Sequence, residues 1–189
     1  MKLSGAQLLA DMLAGYGVSH VFMVPAVLRR TFAEMERRTS IRRIHCHGEK
    51  AAAYMADGYA RAAGRPGICM AQVVGALNLA AGLRDAYLAH SPVIAFTGGR
   101  DPKSKFRKVY QEVDDVPAFE PVTKLNATVD DVSRFPDMVR QAFRVAVSGA
   151  PEVATRNAWR TMSGKRSTAS TVAFHFVTGS NAGTSSISW

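Results

Sequence analysis

The sequence contains little cysteine and no cysteine pair of the CxxC type. Its two cysteines, Cys46 and Cys69, are too few for the disulfide framework of a small secreted domain, and no Cys/His cluster has the spacing of a zinc site. These absences exclude a disulfide-stapled or zinc-ribbon protein. They predict a reducing, cytoplasmic environment.

Long apolar runs are also missing. The longest stretch without a charged residue, residues 66–83, contains Gln72, Asn78 and three glycines, which is typical of a buried strand followed by a helix rather than of a membrane span. Asp11 interrupts the apolar N-terminus too early for a secretory signal peptide. We therefore expect no membrane partner.

Acidic residues are outnumbered, with 15 Asp and Glu against 24 Lys and Arg and a formal net charge of +9. The basic residues are scattered in pairs along the chain. A nucleic-acid-binding face would gather them on one surface with interleaved aromatic residues. We interpret the charge as a solvated surface and expect no nucleic-acid partner.

Apolar helical patterns alternate with short strand-like runs up to residue 149. Strands are predicted at residues 20–24, 41–45, 67–72 and 92–97. Helices are predicted at residues 4–14, 28–38, 49–63, 75–89 and within 132–147. This alternation predicts an α/β protein, namely a three-layer α/β/α domain with a mostly parallel central sheet. Ligands of such sheets bind beyond the carboxyl ends of the strands, here near residues 24–27, 45–49 and 72–78.

Glu49 is the carboxylate of greatest interest, because it stands directly after a predicted strand and at the start of a predicted helix. The helix dipole favours its ionised form there, whereas the alanines that follow disfavour it by desolvation. A carboxyl between these two effects can share a proton with a ligand. The plain alternative is an exposed first-turn glutamate, which is common in helices.

Three further candidates rest on weaker patterns. His45 and His47 alternate along a strand, but a third metal ligand with suitable spacing is missing. Residues 72–78 join a strand to a helix through Gly75, yet they lack the glycine-rich patterns of nucleotide phosphate sites. Gln111 follows a polar loop and is a candidate because loops often carry function. For each of these, a structural role remains the alternative.

Six segments taken together resemble one family. They are HGEKAAAYMADGYARAAGRPGI (47–68), GVSHVFMVPA (17–26), AQVVGALNLAAGLRDAY (71–87), SPVIAFTGG (91–99), YQEVD (110–114) and FEPVTK (119–124). In this order they resemble the N-terminal pyrimidine-binding (PYR) domain of thiamine diphosphate-dependent enzymes of the acetolactate synthase-like family. The resemblance covers residues 3–151 and implies the thiamine diphosphate-binding PYR fold.

The resemblance implies roles for particular residues. Glu49 matches the catalytic glutamate that hydrogen-bonds N1′ of the cofactor's aminopyrimidine and favours the imino tautomer that activates the thiazolium ring. Besides Glu49, the positions that match the cofactor-binding part of the family are Pro25, Ala26, Gly75 and Asn78. Gln111 matches a glutamine that can face the substrate. Ala26 stands where the family usually has glycine, so the substrate is less clearly implied than the fold.

One part of the family pattern is absent. Relatives bind the diphosphate through Mg²⁺ on a second domain that carries a GDG motif, and this sequence contains no GDG. The resemblance therefore implies that the chain holds only the pyrimidine end of thiamine diphosphate, that Mg²⁺ comes only through a partner domain, and that the chain itself provides no metal ligand. The expected partners are a homodimer mate or a diphosphate-binding (PP) domain or subunit, with a 2-keto acid-type small molecule as substrate.

The sequence changes character near Pro151. Residues 152–189 hold 13 Ser and Thr residues and both tryptophans, with a single weak strand candidate at 171–177. We expect a PYR-type domain at 1–151 and a poorly specified tail at 152–189. One hypothesis for the tail is disorder, and another is translation from a shifted reading frame.

Three functional hypotheses remain at this point. The first is a truncated pyrimidine-end domain of an acetolactate synthase-like lyase, decarboxylase or carboligase, inactive alone. The second is the PYR subunit of a two-subunit decarboxylase. The third is a non-catalytic remnant that acts only as an interaction module. Whether the chain is an enzyme therefore stays open, although the resemblance is to a lyase or transferase.

Overall fold

A computed structural model describes residues 3–25, 28–99, 106–108, 112–129, 131–148 and 172–177 of the chain. The described residues form a parallel sheet covered by helices on both faces, which confirms the expected α/β fold class. Six strands take part, in the order β2-β1-β3-β4-β6-β5. They are β1 His20–Met23, β2 Arg42–His45, β3 Gly67–Ala71, β4 Val93–Gly99, β5 Leu125–Val129 and β6 Val172–Val177.

One helix precedes the first strand, and the other five connect successive strands. They are α1 Gly5–Gly15, α2 Arg29–Arg38, α3 Glu49–Ala63, α4 Val73–Leu88, α5 Val116–Phe119 and α6 Phe135–Val147, with short 3₁₀ turns at Glu120–Val122 and Val132–Arg134. Their ends follow local signals. Ser4 and Gln7 form a capping box before α1, and Gly64 ends α3 in the left-handed conformation, φ 63°.

Two hydrophobic clusters lie on opposite faces of the sheet. The bulky face, covered by α1, α2 and α6, buries mainly leucine, methionine, isoleucine and phenylalanine side chains, such as Leu13, Met35 and Phe96. The alanine face, covered by α3, α4 and α5, buries fifteen residues of which eight are alanine. The helices of the alanine face can therefore approach the sheet and one another more closely.

The order of the strands places a binding crevice near α3 and α4. The chain passes from β1 to its neighbour β2 on one side, and then crosses over to β3 on the other side of β1. Ligands of open parallel sheets bind beyond the carboxyl ends of the strands where this order reverses. Helix α3 follows β2 and helix α4 follows β3, so both begin at that edge.

The four strands predicted in the first hundred residues are confirmed, with ends that differ by one or two residues. Helix α4 begins at Val73 rather than at residue 75. The short elements β5 and α5 were not predicted. The sequence of β5, LNATV, alternates apolar and polar residues, but it covers only five residues, includes an asparagine, which is depleted in strands, and its first three residues are only half-buried.

The segment after residue 151 contributes one described element, β6. This strand lies between β4 and β5 and pairs with both in parallel, at the place of the weak strand candidate. The domain boundary at residue 151 stays a prediction, although the position of β6 argues against a tail that is wholly separate from the sheet. The other residues of 152–189 lie outside the described part.

Of the helices in the described ranges, none has the length and the apolar character that crossing a membrane requires.

Candidate active site

Glu49 is the first residue of α3 and follows β2 by four residues. It is half-buried. The preceding residue, Gly48, provides no side-chain cap, so Glu49 is the acidic group of the first turn. A carboxylate in this position interacts favourably with the positive end of the helix dipole. The sequence-based placement of Glu49 at a strand-to-helix junction is thus confirmed.

Gly75, in the first turn of α4, lies directly against the Glu49 side chain. A Cβ atom added at Gly75 would lie 2.6 Å from Cδ and 2.7 Å from Cγ of Glu49, well inside van der Waals contact. Gly75 is itself buried. Because glycine is unfavourable within a helix, its presence here makes space for the carboxyl group of Glu49.

Asn78 lies one turn further along α4 and provides a polar contact. Its Nδ2 donates a hydrogen bond to Oε2 of Glu49 at 3.2 Å. The two residues are separated by 29 positions in the sequence, so the packing of α3 against α4 creates this contact. The structure therefore brings together three of the predicted site residues, Glu49, Gly75 and Asn78.

An open depression of about 380 Å³ lies beside this group. Its walls are formed by Gly48, Glu49, Lys50, Leu77, Asn78 and Ala81. The depression thus combines one carboxylate, one amide and one ammonium group with a small apolar wall. Ligand pockets commonly have this character, namely apolar surface with a few polar groups that fix orientation.

Sequence reasoning missed Lys50, Leu77 and Ala81. Leu77 and Ala81 share one face of α4 because they are four residues apart, and Lys50 adjoins Glu49 in the sequence. The signal that could have found Ala81 is its spacing of three positions from Asn78, and Leu77 then follows from its spacing of four positions from Ala81. No comparable signal distinguishes Lys50 from an ordinary surface lysine.

Apolar side chains are exposed around the depression on α3 and α4. Tyr54 is 43% exposed, Leu77 45% and Val74 53%. We call this the α3–α4 surface and define it by Tyr54, Val74, Leu77 and Asp85. Asp85 of α4 interacts with the Tyr54 hydroxyl of α3 across this surface, and this interaction raises the pKa of Tyr54.

The other sequence candidates do not join the group that the structure describes. Pro25 is exposed just after β1 and does not line the depression. Ala26 and Gln111 lie outside the described residues. His45 and His47 are exposed, and within the described ranges no three His, Cys, Asp or Glu residues come together as a metal site would require.

Cys46 lies close to the start of α3 but is poorly suited to chemistry. Its Sγ is 3.5 Å from Sδ of Met55 and 3.6 Å from the carbonyl oxygen of Ile44. Burial raises the pKa of the Cys46 thiol. Because the thiolate is the reactive form of cysteine, Cys46 is a packing residue at neutral pH.

Comparison with known proteins identifies the family. The family model of the thiamine pyrophosphate enzyme N-terminal TPP binding domain matches residues 3–118. The chain is 35% identical over 150 residues to the probable acetolactate synthase large subunit of Methanocaldococcus jannaschii, which covers 79% of this chain and 25% of that protein. It is 33% identical over 150 residues to acetolactate synthase of Bacillus subtilis, with 79% and 26% covered.

A plant relative gives the same result. The chain is 36% identical over 149 residues to the chloroplastic acetolactate synthase of Arabidopsis thaliana, which covers 78% of this chain and 22% of that protein. The chain thus spans about a quarter of the length of these relatives. The matched region contains β1 to β4 together with Glu49, Gly75 and Asn78. The chain belongs to the family of thiamine pyrophosphate enzyme N-terminal TPP-binding domains.

Proposed function

We propose that this chain provides the pyrimidine-end half of a thiamine diphosphate site in an acetolactate synthase-like 2-keto acid lyase, decarboxylase or carboligase. The observation that carries the proposal is the position of Glu49. Its carboxyl group lies at the carboxyl edge of the parallel sheet, beside an open depression and against Gly75 and Asn78 of the neighbouring helix. Glu49 is the proposed catalytic residue.

The described residues fit the pyrimidine end of the cofactor. Glu49 can exchange a hydrogen bond with a ring nitrogen, while Leu77 and Ala81 provide an apolar wall for the ring. When bound, thiamine diphosphate would supply an electron sink for the keto carbon of a 2-keto acid. The contribution of Glu49 is to hold or release a proton at the pyrimidine nitrogen, N1′, and a half-buried carboxyl is suited to this task.

The described residues do not fit the diphosphate end. A diphosphate is usually held by a metal ion or by a glycine-rich loop, and within the described ranges no cluster of metal ligands exists. We therefore propose that Mg²⁺ and the diphosphate are held by a partner domain or subunit. Pro25 and Ala26 as cofactor contacts, and Gln111 as a substrate contact, remain predictions.

The α3–α4 surface is the proposed place for that partner. Exposed apolar side chains beside a binding depression are typical of a surface that another protein covers. A PP domain or subunit would cover it and complete the site. A homodimer is the second candidate, and a cytoplasmic location remains a prediction from the cysteine content.

Binding of two ligands tests the proposal directly. The full chain, labelled with ¹⁵N, is titrated with thiamine and, separately, with thiamine diphosphate plus Mg²⁺. We expect both ligands to bind with similar, weak affinity and to shift resonances of Gly48, Glu49 and Asn78, because the diphosphate gains no contacts. We expect Glu49→Gln to weaken both at least tenfold, since a hydrogen bond to a charged group contributes about 1.5–3 kcal/mol.

Glu120→Gln is the matched control, because Glu120 is an exposed carboxylate remote in sequence from the site. The affinity of the Glu120→Gln variant for both ligands should equal that of the unchanged chain. Absence of binding, or equal losses in the two variants, would contradict the proposal and leave the non-catalytic interaction module. Much tighter binding of the diphosphate form would contradict the half-site and favour a complete site formed by self-association.

The PYR subunit of a two-subunit decarboxylase is the variant of this proposal in which the partner is a separate chain. Adding a GDG-bearing diphosphate-binding subunit should then raise the affinity for thiamine diphosphate without changing that for thiamine.

A further inference from the structure

Two contacts fix the Glu49 carboxyl group, one on each oxygen. Oε1 lies over the Cα of Gly75, in the space that a Cβ would otherwise take. Oε2 accepts a hydrogen bond from Nδ2 of Asn78 at 3.2 Å. Both partners belong to α4, whereas Glu49 begins α3. The carboxyl group is therefore oriented by the neighbouring helix and not by its own.

We propose that Gly75 and Asn78 are positioning residues, which hold the Glu49 carboxylate in one orientation rather than binding the cofactor themselves. The inference rests on the proposed function, because the orientation matters only if Glu49 meets a ligand. It differs from the role that family resemblance implies for these two residues, which is contact with the cofactor. It also predicts behaviour of the chain without any ligand.

The glycines of α4 show what is special about Gly75. Gly82 lies two helical turns further along and also faces α3. A Cβ at Gly82 would lie 2.6 Å from Cβ of Ala53 and 2.9 Å from the backbone nitrogen of Tyr54. Those atoms cannot move without shifting the helix. Gly82 therefore sets the distance between α3 and α4.

The three atoms nearest to a Cβ at Gly75 are Oε1, Cδ and Cγ of Glu49, all in one flexible side chain. Rotation of the Glu49 side chain would relieve that contact, and alanine is the better helix former. In contrast to Gly82, none of these nearest atoms belongs to the backbone. The conformation of Glu49 depends on Gly75. The unfavourable helix propensity of this glycine is therefore explained by its role in the site.

Asn78 orients the Glu49 carboxyl group, whereas Gly75 leaves space for it. The Asn78 side chain is exposed on α4, where asparagine is a poor helix former. A carboxylate offers about four lone-pair positions, and Asn78 occupies one of them on Oε2. Asn78 therefore fixes the direction in which the carboxylate meets a ligand in the depression.

The first test uses glycine variants of the chain without ligand. Gly75→Ala should leave the urea midpoint unchanged or raised, while the side-chain amide resonances of Asn78 shift because Glu49 has moved. The same amide resonances should shift in Glu49→Gln. Gly82→Ala, the matched control for adding a methyl group to this helix face, should lower the urea midpoint.

The result that would overturn the role of Gly75 is a loss of stability in Gly75→Ala equal to that in Gly82→Ala. Unshifted Asn78 amide resonances in Gly75→Ala would overturn it as well. Both would mean that the glycine serves helix packing and leaves the carboxyl group where it was.

The second test concerns Asn78. In Asn78→Ala, scalar couplings of the Glu49 side chain should report averaging over several rotamers in place of one, and thiamine should bind about tenfold more weakly. Arg84→Gln, an exposed change on the same helix, should alter neither. Asn78→Asp keeps the shape but removes the donor, so it should not restore the single rotamer.

The outcomes separate this inference from the proposed function. If thiamine fails to bind the unchanged chain while the Glu49 rotamer still depends on Gly75 and Asn78, the positioning role stands and the proposed function is wrong. If Asn78→Ala weakens thiamine but leaves the Glu49 rotamer fixed, Asn78 contacts the ligand directly. The proposed function then stands, and the positioning role of Asn78 is overturned.

Discussion

The two faces of the sheet bury residues of very different size. On the bulky face, three of the twenty buried residues are alanine, and the remainder include Leu9, Leu13 and Phe96. On the alanine face, eight of fifteen are alanine, and Gly67, Gly75 and Gly82 bring backbone close to neighbouring atoms. Since buried apolar area contributes about 25 cal/mol per Å², the bulky face contributes more stabilisation for each residue that it buries.

The difference shows how one sheet can serve stability on one face and a site on the other. Small residues let α3 pack against α4 so closely that a carboxyl group on one helix rests on the backbone of the other. Large residues at the same positions would separate the helices and open the contact between Glu49 and Asn78. The alanine face should therefore be sensitive to added volume, and the bulky face to lost volume.

The largest effect is expected on the bulky face. Phe96 in β4 is fully buried, and Phe96→Ala should lower the free energy of unfolding by about 3–5 kcal/mol through lost burial and the cavity left behind. Urea unfolding measures this loss. The folded fraction should bind thiamine as the unchanged chain does. A changed affinity would show that the two faces are coupled, and it would contradict the division of stability and binding between them.

The next effect is expected where volume is added on the alanine face. A Cβ at Gly67 would lie 2.7 Å from the carbonyl carbon of Ala56 and closer still to its oxygen. Because both atoms belong to backbone, α3 must move away from β3. Overpacking of this kind costs about 1–3 kcal/mol, so Gly67→Ala should lower the free energy of unfolding by that amount.

Gly67→Ala should also weaken thiamine binding, since α3 carries Glu49. Gly15→Ala is a suitable control, because its Cβ would meet no atom within 4 Å. A Gly67→Ala chain that keeps both its stability and its affinity for thiamine would show that the alanine face accommodates the added methyl group without displacing α3.

The sequence predicted the strands of the sheet centre because they are strongly apolar and are bounded by glycine or proline. It failed for β5, whose alternating pattern covers only five residues and includes Asn126, a residue type that is depleted in strands. Glu49 could be predicted because a carboxylate between a strand and a helix is a local signal, strengthened by six segments of family resemblance. Strands and site residues could thus be predicted wherever the signal was contained in a short segment.

The arrangement around Glu49 could not be predicted in this way. Gly75 and Asn78 were recognised as site positions, but their contact with Glu49 depends on the register between two helices. That register depends on the close packing of Gly82 against Ala53, two residues that lie in different segments of the sequence. Likewise, the exposed Leu77 resembles an ordinary apolar helix residue until the position of α3 is known.

A smaller, pH-dependent effect is expected from a buried carboxyl on the alanine face. Asp115 is 5% exposed and precedes α5. Burial, and next the charge of Asp114, raises the pKa of Asp115 above its ordinary value of 3.8. The folded state therefore binds this proton more tightly than the unfolded state. Stability from this group is present below the ordinary pKa and is lost as the pH rises through the raised pKa.

Asp115→Asn should remove that loss. The variant should be more stable than the unchanged chain at pH 7, and the difference should shrink as the pH is lowered below 3.8. Asp114→Asn should give a smaller gain of the same sign, because it removes only the neighbouring charge. Urea unfolding at several pH values checks both. A gain for Asp115→Asn that is independent of pH would assign the effect to packing.

The smallest effect is expected at Gly58, which lies in α3 but faces away from the sheet. It is exposed, and a Cβ there would meet no atom within 4 Å. Replacing glycine by alanine in a helix interior gains about 0.5–1 kcal/mol, so Gly58→Ala should raise the free energy of unfolding slightly and leave thiamine affinity unchanged. Gly58 and Gly67 then form a matched pair with opposite signs, since only Gly67 faces packed backbone. If Gly58→Ala were instead as destabilising as Gly67→Ala, the outer side of α3 would be covered in solution, and the apolar residues beside it would already have a partner.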